Sequence, residues 1–89
     1  MPYISNDTKM SLDEGRAVET AGELNFKITE LCLEYINSQV VDPNYSIYNA
    51  VIGALECAKL EFYRRALVPY EEQKKFDNGD VGYEKLQPL

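Results

Sequence analysis

The chain has no histidine and no tryptophan, and only two cysteines, Cys32 and Cys57. Without histidine, neither a Ser-His nor a Cys-His nucleophile pair can form. Two isolated cysteines do not make a zinc site either, so neither a metal nor a cofactor is expected. Met1 to Asp7 shows neither the basic start nor the apolar stretch of a secretion signal. The expectation is a cytoplasmic chain with reduced thiols rather than a disulfide framework. Basic residues are also scarce, nine against fifteen acidic, for a net charge of −6. General nucleic-acid binding needs a basic footprint, which this chain lacks. No apolar run approaches the ~20 residues of a membrane span.

At 89 residues the chain is one domain of a size that buries only a little over 60% of its unfolded surface. With disulfide and metal set aside, subunit association is the expected support, so a homo-oligomer is anticipated.

The hydrophobic pattern predicts an all-α fold, a small bundle of about three helices with an irregular C-terminal tail. Residues 1–10 read as extended, residues 11–76 as the helical domain and residues 77–89 as turn and tail. Ser11-Leu12-Asp13-Glu14 fits a capping box, which predicts a first helix over 12–21. Gly15 weakens that helix, and Gly22 offers a break. The second helix is expected over 23–38. Leu24, Ile28, Leu31, Cys32, Tyr35 and Ile36 share its broad apolar face. Phe26 and Leu33 fall nearly opposite, either as intrachain packing or as subunit contacts.

Asp42-Pro43 signals a helix start, and the third helix is expected from Tyr45 to Leu67. Its main face carries Ile47, Val51, Ala54, Leu55, Ala58 and Phe62. A strip of small side chains including Ala50 and Gly53 allows close approach of another helix, within the chain or from a symmetry mate. Val68-Pro69 ends or kinks the helix. Tyr70 to Phe76 reads as one or two further turns, and Asp77-Asn78-Gly79-Asp80 as a turn.

Two groups of residues are candidate sites. Arg65 projects near the axis of the main apolar face, with Glu61 one turn earlier, in the favourable order for a pair. Either Glu61 and Arg65 form a structural pair, or Arg64 and Arg65 hold an anion with Tyr63 or Tyr70 as a stacking surface. Arginine suits planar, bidentate recognition of phosphate or carboxylate. Asn25 and Thr29, one turn apart on the second helix, either hydrogen-bond between helices or read a polar edge of a ligand. The cysteines sit among apolar residues, where a thiol is usually inert. Adjacent carboxylates such as Glu71-Glu72 fit a solvated surface better than acid–base work.

The segments Gly22 to Thr29, Gly53 to Arg65, Val68 to Glu71 and Asn78 to Val81 together resemble an uncharacterised family of small proteins found in phages, bacteria and archaea. The resemblance covers about residues 22–81. The family pattern has tyrosine at Phe26, and the tail beyond Val81 is longer than the family's. The resemblance implies a compact helical protein and a phage setting, and carries no established activity. By analogy, small phage helical proteins act as oligomeric sponges for nucleotide immune signals. That makes the leading expectation a non-catalytic binder of a small anionic ligand in a host cytoplasm. The candidate ligand residues are Asn25, Thr29, Tyr63, Arg64, Arg65 and Tyr70. The candidate oligomer contacts are Phe26, Leu33, Ala50 and Gly53. The rival expectation is a protein–protein inhibitor or adaptor using an acidic surface and an exposed apolar helix face.

Overall fold

A computed structural model describes residues 1–87. Pro88 and Leu89, the end of the expected tail, lie outside the described residues. Every regular element among the described residues is helical: α1 (Asn6–Asp13), α2 (Ala21–Asn37), α3 (Tyr45–Phe62), a π-helical turn (Tyr63–Leu67), α4 (Val68–Asn78) and a short 3-10 turn (Tyr83–Lys85). The expected all-α architecture is observed. The chain divides into two units, Met1–Val51 and Ile52–Leu89, with the boundary inside α3.

In the first unit the first helix lies earlier than its sequence signals suggest. Residues 1–10 are not all extended, because α1 starts at Asn6. Its N-cap is Ser5, whose hydroxyl oxygen accepts from the Thr8 backbone N–H at 3.2 Å. Ser11 and Glu14 are not the start of a helix but lie at its end. Gly15 stops α1 with a φ of +102°, a conformation glycine adopts without strain. Its N–H donates to the Leu12 carbonyl, and the Arg16 N–H donates to the Ser11 carbonyl at 3.1 Å. Those two bonds make a Schellman stop, which satisfies carbonyls that the helix end would leave open.

The capping box that operates is Thr20-Ala21-Gly22-Glu23 at the start of α2. The Thr20 hydroxyl oxygen accepts from the Glu23 N–H at 3.1 Å, and the Glu23 carboxylate accepts from the Glu19 N–H at 3.0 Å. Gly22 is therefore inside a helix rather than at a break. A methyl group there would come within 3.2 Å of the Met1 carbonyl oxygen, so the N-terminal segment runs close over α2.

Arg16 ties these pieces together. Its guanidinium donates to Ser11 Oγ at 2.9 Å and to the Ala17 carbonyl at 3.1 Å, and it pairs with Glu19 at 3.0 Å and Glu23 at 3.2 Å. Further along, Lys27 of α2 pairs with Glu30 at 2.7 Å and reaches Asp13 of α1 at 3.9 Å. Lys9 sits 5.9 Å from the centre of the Phe26 ring. Leu12 is the one buried apolar side chain among the described residues, at 3% exposure.

The charge clasp makes this unit acid-sensitive. The N–H of Glu19 and then the guanidinium of Arg16 hold Glu23 below its ordinary 4.5. Lys27 does the same for Glu30. A carboxyl with a lowered pKa stabilises the fold fully above its unfolded value and loses that contribution as pH falls through the folded value. Asp13 is shifted upward, chiefly by its hydrogen bond to Glu30, and so works in the opposite sense, favouring the fold at low pH. Two lowered groups oppose one raised group, and acidification below about pH 4.5 is expected to loosen α1 from α2. Glu23→Gln keeps an oxygen acceptor for the Glu19 N–H but removes the charge. The variant should be less stable at pH 7 and lose less on going to pH 3. Melting curves across that range check both halves.

The second unit continues the helical backbone to Asn78. Asn44 rather than Asp42 caps α3, accepting from the Ile47 N–H at 3.1 Å. Val68-Pro69 does not end the helix. Proline has no N–H to donate, and in a regular α-helix its ring would press on the Arg65 carbonyl. The backbone widens instead, and the Val68 N–H bonds the Tyr63 carbonyl, five residues back. Gly79, at a φ of +84°, closes α4 by donating to the Lys75 carbonyl at 2.8 Å.

Candidate interaction surfaces

In α2 the buried side is not the apolar one. Glu23, Phe26, Lys27 and Glu30 are buried or half-buried, and their spacing puts them on one face. Bonds and contacts from Lys9, Asp13 and Arg16 show that this face meets the α1 region. Phe26, one of the expected subunit contacts, thus has an intrachain partner. Of the broad apolar face, Leu24, Ile28, Leu31 and Tyr35 are exposed, and Cys32 and Ile36 are half-buried. Leu33 is also exposed. The wheel gave the faces; much of the broad apolar one is left exposed because α1 is held largely by charges and caps rather than by a wide apolar stripe.

A shallow depression lies where that exposed face borders the covered one, lined by Lys27, Ile28, Glu30, Leu31 and Glu34. Lys27 is already paired with Glu30, so the charge left along the depression is negative. Residues 1–51 as a whole carry three basic and eight acidic side chains. An apolar floor with an acidic edge does not attract an anion; it complements a basic amphipathic segment.

Asn25 and Thr29 do not bridge helices. The Thr29 hydroxyl donates to the Asn25 carbonyl at 2.9 Å, a local bond back along its own helix, and both residues are exposed. Ala50 and Gly53 are exposed on α3, and nothing lies within 4 Å of a methyl group built on Gly53.

Within the second unit, Tyr63, Arg64 and Arg65 lie in the π turn, and Tyr70 follows in α4. All four are exposed. Glu61 serves both arginines, Arg64 at 2.7 Å and Arg65 at 3.6 Å. The expected Glu61–Arg65 pair exists, and Arg64 makes the closer contact. One carboxylate between two guanidiniums already occupies the position an anion would take. The Tyr70 ring has Lys74 Nζ 5.6 Å from its centre, so one of its faces meets its own helix. Cys57 is exposed and Cys32 half-buried, both as free thiols. Among the described residues no group of histidine, cysteine or acidic side chains is arranged to hold a metal ion. No helix among the described residues is long and apolar enough to cross a membrane.

The pattern of residues behind these surfaces matches a family defined as Domain of unknown function (DUF6899) over residues 1–81. The chain belongs to the DUF6899 family. The match takes in the clasp between α1 and α2, a stretch before residue 22 that the resemblance did not cover. It ends at Val81, where the sequence resemblance also stopped, so the DUF6899 region includes both units but not the last residues of the chain. Comparison with curated proteins and with solved structures gave no match.

Proposed function

We propose that this DUF6899 protein is a non-catalytic protein–protein interaction module, which docks a basic amphipathic segment of another protein on the exposed face of α2. The observation that supports this most directly is the reversal on α2. Leu24, Ile28, Leu31 and Tyr35 remain exposed while the more polar face is spent on α1. An apolar stripe on a helix is a standard docking surface for an amphipathic partner, and Glu34 beside it favours a positive one. A small anionic ligand at Arg64 and Arg65 has less support, because Glu61 pairs with both guanidiniums.

Affinity capture from lysate of the native cell, run in parallel with wild-type protein and Leu31→Asp, tests the proposal. Leu31 is 66% exposed, so the substitution leaves the packing within the chain untouched. The expected result is one stoichiometric protein held by the wild type, released as salt is raised and absent with Leu31→Asp. Identical captures with both proteins, or no partner at all, would overturn the reading.

A further inference from the structure

From Ile52 to Asn78 one helical backbone passes through α3, the π turn and α4, and no side chain along it is fully buried. The widened turn decides which side chains share a face. A regular helix turns about 100° per residue and a π turn about 82°. Leu55 and Phe62, seven residues apart, lie about 20° from each other on either reckoning, since both precede the turn. Tyr70 would fall about 80° away from Phe62 in an unbroken α-helix, and the π turn brings it back to within about 10°. By the same arithmetic Leu67 moves from about 140° to about 50° off the line, and Ala66 stays within about 30–40° of it. Arg65 moves the other way, from about 60° to beyond 110°. The position of Arg65 near the apolar axis, which the regular wheel gave, is therefore corrected by the π turn. The extra residue carries the arginine off the stripe and continues the stripe through Leu55, Phe62, Ala66, Leu67 and Tyr70.

We propose that this stripe is the contact between two copies of the chain, and that the π turn at Pro69 exists in the fold to keep it continuous. The stripe is left open: Tyr70 is 57%, Leu67 40% and Leu55 38% exposed, and a helix with no buried side chain is marginal in water by itself. Phe62, at the middle of the stripe, is 72% exposed.

The charge of the segment selects the occupant. Residues 52–78 hold five basic side chains, Lys59, Arg64, Arg65, Lys74 and Lys75, and five acidic ones, Glu56, Glu61, Glu71, Glu72 and Asp77. Most of these neutralise each other along the helix: Lys59 with Glu56 at 3.1 Å, Arg64 with Glu61 at 2.7 Å and Lys75 with Glu72 at 3.3 Å. A neutral segment offers no steering to a strongly charged partner and no net repulsion to its own copy. Residues 1–51, with three basic and eight acidic side chains, would repel a copy, whereas residues 52–78 carry both signs in equal number and can pair with a copy charge for charge.

Light scattering on the purified protein at 50 µM, with circular dichroism on the same samples, tests this. The wild type should have twice the mass of the chain. Phe62→Asp should be monomeric at that concentration, with the dimer dissociation constant raised at least a hundredfold. Leu60→Asp, on the opposite side of the same helix and 52% exposed, should remain dimeric. Because Phe62→Asp can lose helix together with its partner, a wild-type dilution series supplies an independent reading, with mass and helix signal falling together. A monomeric wild type overturns the proposal. So does a dimer indifferent to Phe62→Asp, or one equally disrupted by Leu60→Asp. The α2 docking surface belongs to the other unit and is tested by a different variant, so either idea can fail alone.

Discussion

Diluting the protein should lower its melting temperature by roughly 3–6 °C for every tenfold step. The expectation follows from mass action. A dimer loses about 1.4 kcal/mol of stability per tenfold dilution, or about 0.7 kcal/mol per chain. In a domain of this size 1 kcal/mol corresponds to about 4–8 °C. The helix from Ile52 to Asn78 is the part that should report it most strongly. With no large side chain buried, it has little besides its own backbone bonds, its short-range ion pairs and its partner. Isolated helices are marginal in water even at good lengths, because nucleation is costly and packing supplies most of the stability. Exposed ion pairs of this kind contribute only about 0.3–0.5 kcal/mol each. A scan at 200, 20 and 2 µM, read by circular dichroism, measures the effect. A melting temperature independent of concentration would show that the helix is stable without a second chain.

Much of the fold was legible because its signals are local. The helical period of α2 and α3 and the break before Tyr45 come from side chains a few residues apart, and the structure has them; the turn expected at Asp77 to Asp80 is instead the end of α4, which includes Asp77 and Asn78 and closes at Gly79. Where two local signals competed, the sequence did not rank them. Ser11-x-x-Glu14 and Thr20-x-x-Glu23 have the same form. The second operates because Glu23 also receives Arg16, a residue whose role appears only when the chain folds back on itself. Val68-Pro69 was legible as a disturbance of the helix, but its outcome depends on how the backbone relieves the proline ring. A widened turn and a helix stop begin from the same two residues. The faces of α2 were legible, their environments were not, because a face selected by charge pairs leaves no hydrophobic period. The clasp of Arg16, Glu19 and Glu23 had a readable signal all the same, a capping-box pattern with an arginine seven residues before its glutamate.

Leu12→Ala should free α1 from α2 and leave the helix of the second unit in place. Leu12 lies in the last turn of α1, between Lys9 and Asp13 of the helix and Arg16 just beyond it, the three residues that reach α2. It is buried, at 3% exposure. Removing its three outer carbons should cost about 2–5 kcal/mol, the range for a leucine lost from a packed site. The Lys27–Asp13 contact is long at 3.9 Å, and a cation over an aromatic ring at an exposed site adds only about 0.5–1 kcal/mol. An eight-residue helix cannot stand alone. Hydrogen exchange should therefore show α1 amides losing protection by at least thirtyfold, while amides of α3 and α4 change little. Met10→Ala, on the same helix but at a 61% exposed position, should stay within about 0.5 kcal/mol of wild type. If Leu12→Ala also released the second unit, the two would be folding as one cooperative block. If it released neither, the charge clasp around Arg16 would be carrying the first unit by itself, and Glu23→Gln would then become the more damaging change.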